Sequence, residues 1–113
     1  MSYDEGLAER VRDALQTEPG VAEKKMFGGL AFMVRGYMFI GVLRDVLMAR
    51  VGPESYQEAL ARRHVREMDF TGKPMRGYVF IDPPGSERDS DLTDWIERCL
   101  RFVHTLPPKR AAR

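Results

Sequence analysis

The feature that most constrains the fold lies between Lys24 and Val51, KKMFGGLAFMVRGYMFIGVLRDVLMARV, where three apolar runs are separated only by Arg35-Gly36 and Arg44-Asp45. Two-residue breaks between runs of β-type composition are hairpin connections. The runs are five to seven residues long and rich in Phe, Val and Ile, so they read as strands rather than as buried helices, which need longer stretches. Tyr37 to Leu43 is apolar apart from Gly41 and makes a central strand, paired on both sides. In the first run, Gly28-Gly29 falls between Met26-Phe27 and Leu30 to Val34. A glycine pair inside a strand pattern predicts a bulge or sharp bend, with a change of face there. Gly28 and Gly29 therefore take a structural, backbone role.

The flanks supply helices. Ser2 stands three residues before Glu5, a capping-box spacing, and Leu7, Val11 and Leu15 recur every four residues with Ala8 and Ala14 beside them, which predicts a helix from about Tyr3 to Thr17. Glu18-Pro19-Gly20 stops it. Gly52-Pro53 ends the third strand and opens a second helix, Pro53 to Arg63, with Tyr56 and Leu60 facing inward. Between His64 and Pro74 the turn formers Asp69, Thr71, Gly72 and Pro74 leave room for one short extended piece near Met68 to Phe70. Gly77 to Asp82 is a further strand, closed by Pro83-Pro84-Gly85. Ser90 or Asp91 caps a last helix whose stripe is Leu92, Ile96, Cys99, Leu100 and Val103, widened by Trp95, Phe102 and Leu106. The expected order is α-β-β-β-α-β(β)-α. That is an α+β two-layer sandwich, with a mainly antiparallel sheet of four to five strands and helices on one face. Residues 1–106 form a single domain, and 107–113 a flexible basic tail.

A chain of 113 residues can bury about two thirds of its unfolded surface without a metal or disulfide staple. Its 43% hydrophobic and 31% charged residues exclude a disordered chain, and no apolar run approaches membrane-spanning length. The acidic start, MSYDEGLAER, is no signal peptide, and the lone Cys99 excludes an internal disulfide, so the expected location is cytoplasmic. Net charge is only +1, yet unevenly placed. Residues 24–76 carry ten bases against five acids, and 77–98 six acids against two bases. The basic residues either form one face or merely keep a small sheet solvated.

No catalytic or metal-binding constellation is present in the pattern. Gly28-Gly29 is followed by another strand rather than by the helix a phosphate loop requires. His64 and His104 have no metal-spaced partners, and His64 suits a helix C-terminus. Cys99 lies on an apolar stripe as a small buried hydrophobe, about 500° around the helix from His104 and off its face. Asp69 accompanies Arg66, Lys73 and Arg76 in one loop. It serves either as a site residue or as a backbone acceptor in a turn before Gly72. Met26, Met33, Met38, Met48, Met68 and Met75 suit core filling or an adaptable groove. No cofactor is expected.

Lys25-Met26-Phe27-Gly28-Gly29-Leu30-Ala31-Phe32-Met33 resembles the Arg/Lys-Met-Phe-Gly-Gly segment of the TfoX/Sxy N-terminal domain family. Leu47-Met48-Ala49-Arg50, Met68-Asp69-Phe70, Gly77-Tyr78-Val79-Phe80 and Leu92 with Trp95 extend the similarity from about Leu7 to Leu106. The resemblance implies a bacterial cytoplasmic α+β domain related to regulators of natural competence, in which a second, helical domain follows; this chain is expected to stand alone. It also implies a non-enzymatic, regulatory role through a protein partner. Partner contact is assigned to Lys25, Met26 and Phe27 together with Arg66, Asp69, Lys73 and Arg76. A weak nucleic-acid contact through the basic sheet and tail, a homodimer, and an enzyme with an unrecognised site remain open alternatives.

Overall fold

A computed structural model describes residues 3–26, 28–69, 72 and 74–107. Its elements in chain order are α1 (Glu5–Ala14), β1 (Val21–Met26), β2 (Gly29–Val34), β3 (Tyr37–Leu43), β4 (Val46–Arg50), α2 (Tyr56–Leu60), β5 (Val65–Glu67), β6 (Tyr78–Ile81), a 3₁₀ turn (Pro83–Ser86) and α3 (Asp89–His104). The strands form one antiparallel sheet in the order β1-β2-β3-β4-β6-β5. This is the expected α+β architecture, with six strands in place of four to five.

The added strand is β1. Four of its six residues, Ala22 to Lys25, are exposed, and only backbone pairing with β2 holds it at the edge. That pairing runs from Val21↔Val34 to Met26↔Gly29, so of the bulge or sharp bend expected at the glycine pair the structure has the bend, between two strands rather than inside one. Gly28 lies in the turn between β1 and β2 with φ 77°, and Gly29 is the first residue of β2, so neither interrupts a strand. The bulge falls elsewhere. Phe32 pairs with Ile40 but Met33 with Met38, leaving Phe39 as the extra residue of β3. The Arg35-Gly36 hairpin has positive φ at both residues, 55° and 85°, the I′ geometry whose twist matches the flanking strands.

All three helices contribute to one core cluster on one face of the sheet. Leu7, Val11 and Leu15 of the first helical segment, Tyr56 and Ala59 of α2, and Leu92, Trp95, Ile96, Cys99 and Val103 of α3 meet Leu30, Phe32, Val34, Phe39, Ile40, Val42, Leu47, Ala49, Val79 and Ile81. Other boundaries also moved. The N-cap of α1 is Asp4, whose carboxylate accepts the Leu7 N–H at 3.1 Å; Ser2 lies outside the described residues. Helix α2 occupies five residues rather than 53–63. The short extended piece is Val65–Glu67, not 68–70, and Phe70 lies outside the described residues. Arg88 occupies the N-cap of α3 without a side-chain cap, and Asp89 and Asp91 lie in its first turn, where carboxylates favour the helix dipole. At the other end Arg35 donates to the Val103 and His104 carbonyls, 3.2 and 3.3 Å away, serving groups that α3 leaves unpaired. Residues 108–113, the expected tail, lie outside the described set.

Candidate functional site: the open face of the sheet

The face opposite the helices carries a second, smaller cluster. Met48, Met68 and Phe80 are buried in it, with Met38, Leu43, Val46, Met75 and Tyr78 packed around them. The bulge at Phe39 decides what reaches this face. Because Phe39 and Ile40 both point into the helix-side core, Met38 and Leu43 face the other way beside Gly41, which pairs with Met48. The segment after β5 folds over part of the face, with the Met75 N–H donating to the Met68 carbonyl at 3.0 Å.

Over β1 to β4 the face holds an apolar groove of about 30 Å³, with Met26, Met38, Leu43 and Met48 as walls and Gly29 and Gly41 in the floor. The glycines differ in what fixes them. A Cβ on Gly29 would lie 2.6 Å from the Val42 carbonyl oxygen, whereas a Cβ on Gly41 would meet the Met48 Cε, the far end of a flexible side chain, at 3.0 Å. The first is closed to any side chain. At the second, the end of the Met48 side chain lies over the glycine and can swing aside, which makes the groove beside it adjustable.

Charge on this face has one dominant sign. By register, Lys24 (opposite Ala31) and Arg66 (opposite Phe80) point to the open side, whereas Arg50, the last residue of β4, reaches around the end of the sheet to rings of the helix side. Lys24 is exposed. The Arg50 guanidinium lies over the rings of Tyr37, Tyr78 and Phe102 at 5.3 to 5.5 Å. Arg66 lies over Phe80 at 5.0 Å and its Nε donates to both oxygens of Asp82 at 3.2 Å. Glu23, by contrast, faces the helices and binds Arg12, which holds its carboxyl below the ordinary range.

The assigned contact residues divide into two groups. Met26 lines the groove, while Lys25 pairs with Leu30 and so projects to the helix side as an exposed residue; Phe27 lies outside the described residues. Arg66 belongs to β5, at the far edge from β1. Five strand spacings of about 4.8 Å put the two edges about 24 Å apart, too far for one small site. Asp69 and Arg76 are exposed beyond β5, and Lys73 lies outside the described residues. Met38 and Met48 were among the methionines that suit core filling or an adaptable groove, whereas Gly41 and Leu43 were not singled out; the usable signal for them was a glycine within an otherwise apolar strand.

The described residues contain no group of three His, Cys, Asp or Glu able to hold a metal, and no helix long and apolar enough to cross a membrane. Cys99 is fully buried, and burial pushes its thiol well above the ordinary range, which removes the thiolate a nucleophile needs. His104 does not approach it; its Nε2 lies 3.2 Å from Glu18. No curated protein and no solved structure matches the chain. One family model does match, the TfoX N-terminal domain, over residues 13–103. That span takes in every strand, α2 and α3 but one residue, so the chain belongs to the TfoX N-terminal domain family.

Proposed function

We propose that this domain is a non-enzymatic regulatory module that acts through contact with another protein, and that the contact surface is the open face of the sheet. The observation that carries the reading is the apolar groove between Met26, Met38, Leu43 and Met48 on a face that no helix covers. Methionine walls suit a surface that adapts to a partner. Membership in a family named for competence regulators supports the regulatory part. The buried Cys99 and the unclustered histidines support the non-enzymatic part. Nucleic-acid contact is the second reading, favoured by Lys24 and Arg66 on one face.

The test is position-resolved photo-crosslinking in the native cell. A photoreactive side chain replaces Met38 on the open face, and in a second variant Glu97, which is exposed on α3. The Met38 variant is expected to give a protein adduct that the Glu97 variant does not. Equal yields from the two positions, or adducts of nucleic acid, would refute the reading.

A further inference from the structure

From the groove and its rim we infer the chemistry of the partner: an acidic amphipathic segment that seats one aliphatic side chain over Gly41 and lays carboxylates beside Lys24. The inference rests on the protein-contact reading above and adds the class of sequence that fits. The groove holds one or two methyl-sized groups, matching the tip of a leucine or methionine. Lys24 lies two residues from the groove wall Met26 on the same face of β1, within reach of a carboxylate on a bound segment. The formally charged strand residues facing this side are all cations, and Asp82, just past β6, is already engaged by Arg66. The helix layer is the opposite: α3 alone carries Asp89, Asp91, Asp94 and Glu97 against Arg98 and Arg101.

The rival occupants fit less well. Two copies meeting open face to open face would bring like charges together, Lys24 and Arg66 from each. A copy presenting its acidic helices instead makes a heterologous contact, which builds a ring or an open filament rather than a two-fold pair. A nucleic-acid backbone is held by about six to ten cationic contacts in a typical site. Here Lys24 is the strand cation on the open face engaged with neither a ring nor a carboxylate among the described residues.

The experiment labels the methionine methyl groups of the full chain with ¹³C and follows them by NMR. Four probes are titrated: an amphipathic helical peptide of leucine and glutamate, one of leucine and lysine, one of serine and glutamate, and a DNA duplex. Only the leucine–glutamate peptide is expected to move the Met26, Met38 and Met48 methyls saturably. Lys24→Glu, on an exposed side chain, is expected to weaken it about fivefold. Gly41→Ala, which raises the groove floor, is expected to weaken it tenfold or more while the remaining methyl signals keep their positions. An equal response to the lysine peptide, a response of the same methyls to the duplex, or wild-type affinity in Lys24→Glu would overturn the inference. If no probe moves these methyls while Met38 still crosslinks to protein in the cell, the acidic chemistry is wrong and the protein-contact reading survives. Silence in both experiments removes both.

Discussion

Three glycines, each replaced by alanine, should give three different stabilities for reasons that the geometry separates. At Gly29 the new methyl would stand 2.6 Å from the Val42 carbonyl oxygen, where ordinary contact begins at 3.4 Å. The backbones must therefore part by about 0.8 Å beside the Leu30↔Val42 pair. Overpacking costs about 1–3 kcal/mol, and a backbone obstacle cannot swing aside, which puts Gly29→Ala near the upper end. Alanine's lower unfolded-state entropy returns about 0.4–1 kcal/mol, leaving a net loss of about 2 kcal/mol. At Gly28 the backbone has φ 77°; the left-handed penalty of about 1–2 kcal/mol, less the same entropy, costs roughly 1 kcal/mol. At Gly41 the neighbour is a mobile Met48 methyl at 3.0 Å, and the gain from alanine offsets its displacement to within about 0.5 kcal/mol. Urea titration reads these directly: with a slope of about 1.5 kcal/mol per molar, the Gly29→Ala midpoint falls by more than about 1 M. A Gly29→Ala midpoint equal to wild type, or a Gly41→Ala variant less stable than Gly29→Ala, would refute the reasoning.

Two further outcomes follow from charge and backbone. Arg12 lowers the Glu23 pKa, and Arg98 with Arg62 lowers that of Glu58, from 4.5 in each case. Depressed carboxylates stabilise the fold above their unfolded value, and that stability is lost as pH falls through the lower folded values. The thermal midpoint of wild type should thus exceed that of Glu23→Gln at pH 7, with the gap closing below about pH 4.5; a gap independent of pH would show that the Arg12 pair contributes nothing. Arg44 holds φ 53° at an exposed hairpin tip, while its carbonyl accepts the Asp4 N–H at 2.7 Å whatever the side chain. Arg44→Asn should therefore raise stability by about 0.5 kcal/mol, since asparagine tolerates the left-handed region, and an unchanged or lower denaturation midpoint would count against that strain.

What was legible in the sequence is what local periodicity encodes. The stripe Leu92, Ile96, Cys99 and Val103 is buried as its spacing requires, and so are Leu7, Val11 and Leu15. Strand β1 was not legible because Glu23-Lys24-Lys25 gives no alternation; its strand state comes from backbone bonds to β2, which no side chain announces. At the glycine pair, where permissive residues suggest a bulge or a sharp bend, the structure has the bend, and the bulge lies in β3. In YMFIGVL every residue is apolar, and only pairing with β2 shows that Phe39 is the doubled one. The contact residues failed to converge for a similar reason. Strand β5 follows α2 in sequence but joins the sheet outside β6, a placement decided by long-range pairing, so Arg66 ends a full sheet width from Met26.

The position of the groove follows from how much surface the helices can cover. A six-stranded sheet is about 24 Å between its edge strands, and three helices, each about 10 Å across, suffice for one such face and leave nothing for the other. The second face must then be covered by loops or left open. Met68 and Met75 cover the β4–β6 side, burying Met48 and Phe80. Over β1 to β3 the cover among the described residues is the side chains of the strands themselves, and at Gly41 it is the flexible end of Met48. An added Cβ would cost little by the contact distance, since that flexible methyl is what stands closest to it. Packing thus accounts for Gly29, which a backbone oxygen excludes from bearing a side chain, but not for Gly41. A glycine that the fold does not require, at the floor of an uncovered apolar groove, is the strongest structural argument that this face is kept open for a partner.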